Sequence, residues 1–178
     1  MTSAASIATR HGTFVAQFNH TGLCQLDFPG KAGRPKAAQL PTGSPKRWLA
    51  ATAAALESLL LGQAPQKLPP MDLSIGTDFQ QSVWRQLLKI PLGQTRSYGE
   101  LAQCLAKPGA SRAVGSACGA NPIPVIVPCH RVLAAHRRIG GFSGGPGWKQ
   151  RLLRIEQAEF VDESGTTERD SFYRTVTP

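Results

Sequence analysis

A cysteine and a histidine stand side by side at Cys129 and His130, between the apolar run Ile123–Val127 and a basic stretch that ends at Arg138. β-Branched residues favour strands, and each proline disfavours helix at the residue before it. The run therefore predicts a buried, extended segment that leads into Cys129. A free cysteine in such a place is often only a small buried side chain, so its surroundings decide whether it reacts.

Cys129 and His130 have the residue types of a nucleophile and its base. Adjacent side chains on an extended strand point to opposite sides, so a direct thiolate–imidazolium pair requires the chain to turn there. A bridging water would let His130 take the thiol proton, and a carboxylate on the other ring nitrogen would orient the imidazole. The nearest downstream acid is Glu156, because no Asp or Glu occurs between Glu100 and Glu156.

The cysteines do not have the spacing of a metal site. Cys104, Cys118, Cys129 and His130 lack the close ligand pairs of structural zinc sites, so no metal and no other cofactor is predicted. Together with Cys24 they show no CxxC pair, and a chain of 178 residues does not need disulfides, which favours a reducing compartment.

Positive charge is concentrated in the middle of the chain. Residues 78–156 carry 11 basic and 3 acidic side chains, residues 157–178 carry 2 and 5, and the whole chain has a net charge of +9. Such a segment suits a polyanion, most commonly nucleic acid, although a merely soluble basic surface has the same composition. No apolar run is long enough to span a bilayer, and the first residues, expected to fray, lack the apolar centre of a secretion signal.

The first unit, residues 1–76, is predicted to be a small α/β domain. Alternating apolar and polar residues on both sides of Asn19–Gly22 predict a hairpin. A loop rich in Pro, Gly and Lys follows, and then a helix with Ser44 as N-cap, Pro45 at its first position and Gly62 at its end. The segment MDLSI, residues 71–75, predicts one more short strand.

The second unit, residues 77–156, is predicted to be mainly helical and to bind a ligand. Thr77 and Gln80 have the spacing of a capping box, and the amphipathic helix that follows must end by Pro91. Two further helices, over 98–105 and from about residue 111, have the outline of a helix-turn-helix.

The second of these helices carries mostly small side chains, which allow close approach to a ligand or tight packing on another helix. Its long polar side chain is Arg112, a residue type suited to phosphates, to a groove, or to a gap in a base stack.

Two segments after the cysteine complete the pattern. The stretch RRIGGFSGGPG, residues 137–147, has five glycines, so its backbone donors can approach a ligand closely, although a flexible surface turn has the same composition. A helix over GWKQRLLRIE would bring Glu156 back towards His130. The acidic tail, residues 157–178, is expected to be disordered.

Residues 77–156 also resemble a known family. NPIPVIVPCHRVL, with SYGELA, SRAVGSACGANP, GGFSGG and WKQRLLRIE, closely resembles the O6-alkylguanine-DNA alkyltransferases, also called methylated-DNA–protein-cysteine methyltransferases. The segment PCHRV after NPxP is highly specific for them. The N-terminal unit resembles the ribonuclease-H-like α/β domain of this family in outline only.

The resemblance implies direct-reversal DNA repair by one irreversible displacement per protein molecule. Cys129 would attack the carbon on guanine O6 and keep the alkyl group as a thioether. His130 would act through a water, Glu156 would orient His130, and Asn121 would brace the turn around the site. Tyr98 would crowd the phosphate, help to rotate the nucleotide and donate to guanine N3.

The resemblance also implies how DNA is held. Arg112 would enter the duplex in place of the flipped base, and the Ser143 backbone N–H would donate to O6. The carbonyls of Cys129 and Val132 would accept from the exocyclic amine. Further DNA or base contacts are implied at Ser97, Ala113, Gly115, Ala117 and Arg131.

The implied partner is double-stranded DNA that carries O6-alkylguanine, with O4-alkylthymine as a second substrate. The resemblance implies that a monomer binds this DNA through the minor groove and that no membrane is involved. The implied compartment is the cytoplasm of a prokaryote or the nucleus of a eukaryote. Two alternatives stay open. A non-catalytic alkyltransferase-like lesion binder lacks the acceptor cysteine, and a cysteine hydrolase needs direct contact between its cysteine and histidine.

Overall fold

The computed structural model describes residues 2–30 and 44–168. Its N-terminal part is a three-stranded antiparallel sheet in the order β1-β2-β3, with β1 over Ser3–Thr9, β2 over Gly12–Phe18 and β3 over Leu23–Asp27. Helix α1, Ser44–Leu60, packs against β1. The predicted α/β composition of this part is confirmed.

The hairpin predicted at Asn19–Gly22 joins β2 to β3. The side-chain oxygen of Asn19 accepts from the backbone N–H groups of Thr21 and Gly22, at 2.9 and 3.1 Å, which closes the turn. The strand predicted over residues 71–75 is reduced to a single bridge between Met71 and Leu23.

The expectation that the N-terminus frays is wrong. Strand β1 pairs with β2 over its whole length, from Ser3 opposite Phe18 to Thr9 opposite Gly12. Ala5 and Ile7 alternate with exposed neighbours and face the core, which gives this edge strand apolar surface to bury.

Helix α1 ends near Gly62, as predicted. Gly62 has a φ of +71°, and a Cβ atom there would lie 2.4 Å from the carbonyl oxygen of Ile155, so only glycine fits without a shift of the backbone. The side chains of Ser44 and Pro45, and the loop over residues 31–43, lie outside the described part of the chain.

Helices and short strands make up the second part. The helices are α2 Asp78–Leu87, α3 Tyr98–Cys104, α4 Ser111–Gly119 and α5 Trp148–Ile155. The strands are β4 Arg96–Ser97 with its parallel partner β5 Val132–Leu133, and the antiparallel pair β6 Phe160–Val161 and β7 Thr167–Glu168. The capping box of Thr77 and Gln80 starts α2, with both of its hydrogen bonds formed.

The expected disorder of the acidic tail is wrong for residues 157–168, which include the hairpin β6–β7. Phe160 is fully buried in a small apolar cluster with Ile139 and Leu153, and Arg154 donates to Glu168 from two guanidinium nitrogens. Apolar burial and ion pairing therefore order this hairpin. Residues 169–178 lie outside the described part of the chain.

One buried cluster joins the two predicted units, since it includes Phe14 and Leu56 from the first and Trp84 from the second. The ring of Phe28 packs against those of Phe142 and Trp148, at 5.8 and 4.7 Å between centroids. The sheet thus anchors the glycine-rich loop and the start of α5. Among the described residues, no helix is long and apolar enough to cross a membrane.

Candidate active site

The apolar run before the cysteine is buried, as predicted, but it forms a tight turn instead of a strand. The Val127 N–H donates to the Ile123 carbonyl at 2.9 Å, and Val125 has a φ of +73°. A non-glycine residue in this region costs about 1–3 kcal/mol, so surrounding contacts must hold it. Asn121 does this, because its amide donates to the Val127 carbonyl at 2.8 Å and accepts from the Ile123 N–H at 3.0 Å.

The chain then turns at Cys129, in a 3-10 turn over Cys129–Arg131. The Cys129 N–H donates to the Val127 carbonyl at 2.8 Å, and the Val132 N–H donates to the Cys129 carbonyl. Cys129 is 3% exposed and lies in the wall of a cavity of about 630 Å³. That volume is in the usual range for a small-molecule pocket.

Residues from two helices, the 3-10 turn and the glycine-rich loop line this cavity. They are Tyr98 at the start of α3, Ser111, Arg112, Gly115, Cys118 and Gly119 on α4, Cys129 itself, and Gly141, Phe142 and Ser143 on the loop.

Behind the cysteine, a buried carboxylate binds a histidine and an arginine. His130 Nε2 lies 2.8 Å from Glu156 Oε1. Arg131 donates from Nε to Glu156 Oε2 at 2.8 Å and from Nη2 to Oε1 at 2.9 Å, and its Nη1 donates to the Ile90 carbonyl at 2.6 Å. The contact between His130 and Glu156 predicted from the sequence is present in the structure.

The protonation states in this network follow from its contacts. Burial raises the pKa of Glu156, but hydrogen bonds and charges from His130 and Arg131 outweigh it and lower this pKa to about 2. Burial lowers the pKa of His130, against the opposing effect of Glu156. A carboxylate can only accept, so His130 Nε2 carries the hydrogen and the lone pair is on Nδ1. Nδ1 is buried and has no hydrogen-bond partner among the described residues.

The Cys129 thiol has a raised pKa because it is buried, while Asn121 and the charge of Lys149 act in the opposite direction. Lys149 on α5 is itself buried, which lowers its pKa to about 8. Its ammonium donates to the Gly141 carbonyl at 3.3 Å and lies 6.0 Å from the centre of the Tyr98 ring. The charge of Lys149 thus acts on the Cys129 thiol from the start of α5.

Sequence reasoning missed Lys149 and Cys118 as parts of this site. For Lys149 a pattern was available: it lies three and four residues before Leu152 and Leu153, so the three share one buried face of α5. A lysine on an apolar helix face is unusual enough to mark a site.

Several residues predicted to bind DNA line the cavity or are exposed on α4. Arg112 and Ala113 are exposed on α4, and Ser143 is exposed on the loop. Gly115 faces the ring of Tyr98, with room for a Cβ atom at 3.7 Å. Burial raises the pKa of Tyr98 to about 12, so its hydroxyl stays a donor at neutral pH. Their roles toward DNA stay predictions.

Other predicted DNA contacts lie elsewhere. Arg131, expected to face DNA, is buried and bound to Glu156, because the 3-10 turn directs it inward. Ala117 is buried at the contact between α2 and α4, where its carbonyl accepts from Trp84 Nε1 at 2.8 Å. Both positions are at odds with direct contact to DNA.

Two more predicted contacts have structural partners. The Ser97 hydroxyl caps α3 by accepting from the Glu100 N–H at 3.1 Å. Val132 is fully buried in β5, so only its backbone is available to a ligand. In the described part of the chain, no group of three or more His, Cys, Asp or Glu residues is placed to hold a metal ion.

The described chain is thus a small sheet and helix scaffold around a buried cysteine, whose neighbouring histidine is fixed by a carboxylate. The family model described as 6-O-methylguanine DNA methyltransferase, DNA binding domain, matches residues 78–158. A methylated-DNA–protein-cysteine methyltransferase of Methanosarcina barkeri is 40% identical over 152 residues, which cover 82% of this chain and 91% of the relative. This chain belongs to the methylated-DNA–protein-cysteine methyltransferase family.

Other relatives match in part or through their structures. A methylated-DNA–protein-cysteine methyltransferase of Mycobacterium tuberculosis is 57% identical over 83 residues, which are 47% of this chain. The match spans about half (50%) of the length of that curated relative. The crystal structure of Mycobacterium tuberculosis OGT in complex with DNA has a TM-score of 0.73 at 37% identity and covers 86% of this chain and 91% of that one. The crystal structure of an O6-methylguanine-DNA methyltransferase from the archaeon Pyrococcus kodakaraensis has the same fold, with a TM-score of 0.53 at 23% identity. The match covers 88% of this chain and 99% of that one.

Proposed function

We propose that this protein repairs DNA by transferring the alkyl group of O6-alkylguanine to Cys129, once per protein molecule. The observation that carries the proposal is the buried Cys129 in the cavity wall, next to a His130 whose Nε2 is fixed by Glu156 at 2.8 Å. The family membership supports it. O4-alkylthymine is the second substrate of the same site.

The reaction is a single displacement at a saturated carbon. The Cys129 sulfur bonds to the alkyl carbon, the bond from that carbon to O6 breaks, and guanine leaves with its electrons. The thiol proton passes through a water to His130 Nδ1, the basic nitrogen in this tautomer. Tyr98 donates a hydrogen bond to guanine N3 and so stabilises the leaving group. Since water does not displace a thioether carbon, the product is permanent.

The base must leave the duplex to reach the cavity, which costs a few kcal/mol and less for a damaged pair. Helices α3 and α4 act as a helix-turn-helix in the minor groove, and Arg112 fills the gap left by the base. Arg112 is exposed on α4 at the edge of the cavity that holds Cys129, which supports this role. Phosphate contacts to the basic surface offset the cost of extrusion.

The finer assignments complete the proposal. Asn121 holds the turn, the loop N–H of Ser143 binds O6, and the carbonyls of Cys129 and Val132 receive the exocyclic amine. Ser97, Ala113 and Gly115 lie along the DNA. The N-terminal domain is ribonuclease-H-like, and the protein acts as a monomer in the compartment that holds the DNA.

Two other functions fit less well. A non-catalytic lesion binder needs no buried thiol beside a fixed histidine. A cysteine hydrolase forms an acyl intermediate that water releases, and its product exceeds one equivalent.

The deciding experiment is the intact mass of the protein after incubation with an O6-methylguanine duplex. One methyl group on wild-type protein, mapped to Cys129, supports the proposal. Cys129→Ser should gain no mass and still bind DNA, because a hydroxyl is nearly isosteric but a poor nucleophile. Cys24→Ser, on β3 away from the cavity, is the matched control and should gain the methyl group. Methylation of Cys129→Ser, or turnover of several duplexes per protein, would contradict the proposal.

A further inference from the structure

A second thiol in the cavity has no part in the proposed reaction. Cys118, on the last turn of α4, and Cys129 line the same cavity, and both are buried. The other two cysteines lie elsewhere: Cys24 on β3 donates to the Gln17 carbonyl at 3.3 Å, and Cys104 is exposed at the end of α3. The cavity thus contains two of the four thiols of the chain.

A single residue ties the backbones of the two cysteines together. The Asn121 N–H donates to the Cys118 carbonyl at 3.3 Å, and the Asn121 amide donates to the Val127 carbonyl at 2.8 Å. The same Val127 carbonyl accepts from the Cys129 N–H at 2.8 Å. The end of α4 and the 3-10 turn are therefore held side by side.

The electrostatics agree with this proximity. Burial, with a charge on Cys129 acting in the same direction, raises the pKa of Cys118 to about 12. Charges on the two cysteines also act on Lys149, where they oppose the lowering of its pKa by burial. Cys118 is followed by Gly119, where α4 ends, and helix ends adjust more easily than helix interiors.

We propose that Cys118 and Cys129 form a reversible disulfide when the protein meets a peroxide, which blocks alkyl transfer and preserves the acceptor sulfur. The inference rests on the proposed role of Cys129 as a nucleophile. A protein that uses its thiol only once loses that use permanently if the sulfur is oxidised to a sulfinic acid, whereas a disulfide is restored by thiols. The disulfide lies in the wall of the cavity where the base must enter.

Two steps balance the chemistry with hydrogen peroxide as the oxidant. The Cys129 sulfur bonds to one peroxide oxygen, the O–O bond breaks, and the departing hydroxide takes the thiol proton as water, leaving a sulfenic acid. The Cys118 sulfur then attacks the sulfenic sulfur, the S–O bond breaks, and the hydroxyl leaves with the Cys118 proton as a second water. The two thiols are oxidised, and peroxide is reduced to water.

The experiment uses the full chain, reduced and then treated with hydrogen peroxide. Intact mass and peptide mapping of thiol-blocked samples are measured before and after dithiothreitol. Wild-type protein should lose the mass of two hydrogen atoms, yield a linked peptide pair containing Cys118 and Cys129, lose alkyl transfer, and regain it with dithiothreitol. Cys104→Ser and Cys24→Ser, whose cysteines lie outside the cavity, should behave in the same way.

Variants at Cys118 isolate the effect of the second thiol. Cys118→Ser and Cys118→Ala, each compared with its own untreated activity, should be oxidised to a sulfinic acid at Cys129, gain the mass of two oxygen atoms, and stay inactive after dithiothreitol. Recovery of both variants to the wild-type extent, or a wild-type disulfide that involves Cys24 or Cys104, would overturn the inference. So would wild-type protein that gains oxygen without any linked peptide.

The transfer measurement on untreated protein separates the two proposals. If reduced wild-type protein takes no methyl group from an O6-methylguanine duplex, the proposed function fails, whatever the peroxide does. If it takes the methyl group but forms no link between Cys118 and Cys129, only the disulfide is refuted.

Discussion

Replacing Glu156 by glutamine should destabilise the protein and slow alkyl transfer. The side chain keeps its shape but loses the charge that binds Arg131 and His130. The pKa of Glu156 falls from 4.5 to about 2 on folding, which corresponds to roughly 3 kcal/mol of stability at neutral pH. Glutamine also leaves the buried Arg131 guanidinium without a countercharge, a loss of about 3–5 kcal/mol in similar cases.

The sign of the pH dependence follows from the direction of this shift. Because the folded-state pKa of Glu156 is depressed, its stabilisation is complete above the unfolded value of 4.5 and is lost as the pH falls towards about 2. Urea unfolding of wild-type protein and Glu156→Gln should therefore differ most at neutral pH. The difference should shrink across the acid range.

A matched control and a double variant make the test sharp. Glu57→Gln removes an exposed carboxylate on α1 and should change the unfolding free energy little. The double variant Arg131→Met/Glu156→Gln removes both charges and leaves neither one buried alone. Its loss of unfolding free energy should therefore be smaller than the sum of the losses in the two single variants. If Glu156→Gln unfolds at the wild-type urea concentration, or if the difference persists unchanged at low pH, the assigned network is refuted.

Three further predictions concern the cavity. Arg112→Ala should slow alkyl transfer from an O6-methylguanine duplex, about tenfold for each 1.4 kcal/mol by which the flipped-out base is destabilised. Transfer from free O6-benzylguanine should be unchanged, and equal losses on both substrates would contradict the role of Arg112. Lys149→Met should raise the pKa of Cys129 and so shift the pH dependence of the transfer rate from O6-benzylguanine to higher pH. Lys89→Met, at an exposed position, is the control and should leave this pH dependence unchanged. An unshifted pH dependence in Lys149→Met would contradict the prediction. Methylated wild-type protein should melt at a lower temperature than the unmodified protein. An added methyl group in a packed site lowers the free energy of unfolding by about 1–3 kcal/mol, and each kcal/mol lowers the melting temperature by about 2–4 °C. An unchanged melting temperature would show that the site has room for the methyl group.

Local patterns predicted most of the regular elements. The hairpin at Asn19–Gly22, the capping box of Thr77 and Gln80, and the stop of α1 at Gly62 depend on contacts between residues close in sequence. Such features can be predicted from the sequence without a tertiary structure. The strand β1 and the tail hairpin β6–β7 were missed although their strand partners are close in sequence, because the apolar surface that they bury comes from distant parts of the chain.

The residue types at the site were also legible in the sequence. The adjacent Cys129 and His130, with Glu156 as the nearest downstream acid, predicted a nucleophile, a base and its orienting carboxylate, and the contact between His130 and Glu156 is present. The exposed Arg112 on the small-residue helix was marked in the same way, although its role toward DNA stays a prediction.

Only the tertiary structure decided where the remaining charges and thiols lie. Arg131 turns inward to Glu156, Lys149 lies buried on α5, and Cys118 lines the same cavity as Cys129. The direction of each side chain depends on the 3-10 turn at Cys129 and on the positive φ of Val125 that precedes it. Strand propensity opposes that conformation, which persists because Asn121 and the packed core outweigh a local preference of about 1–3 kcal/mol.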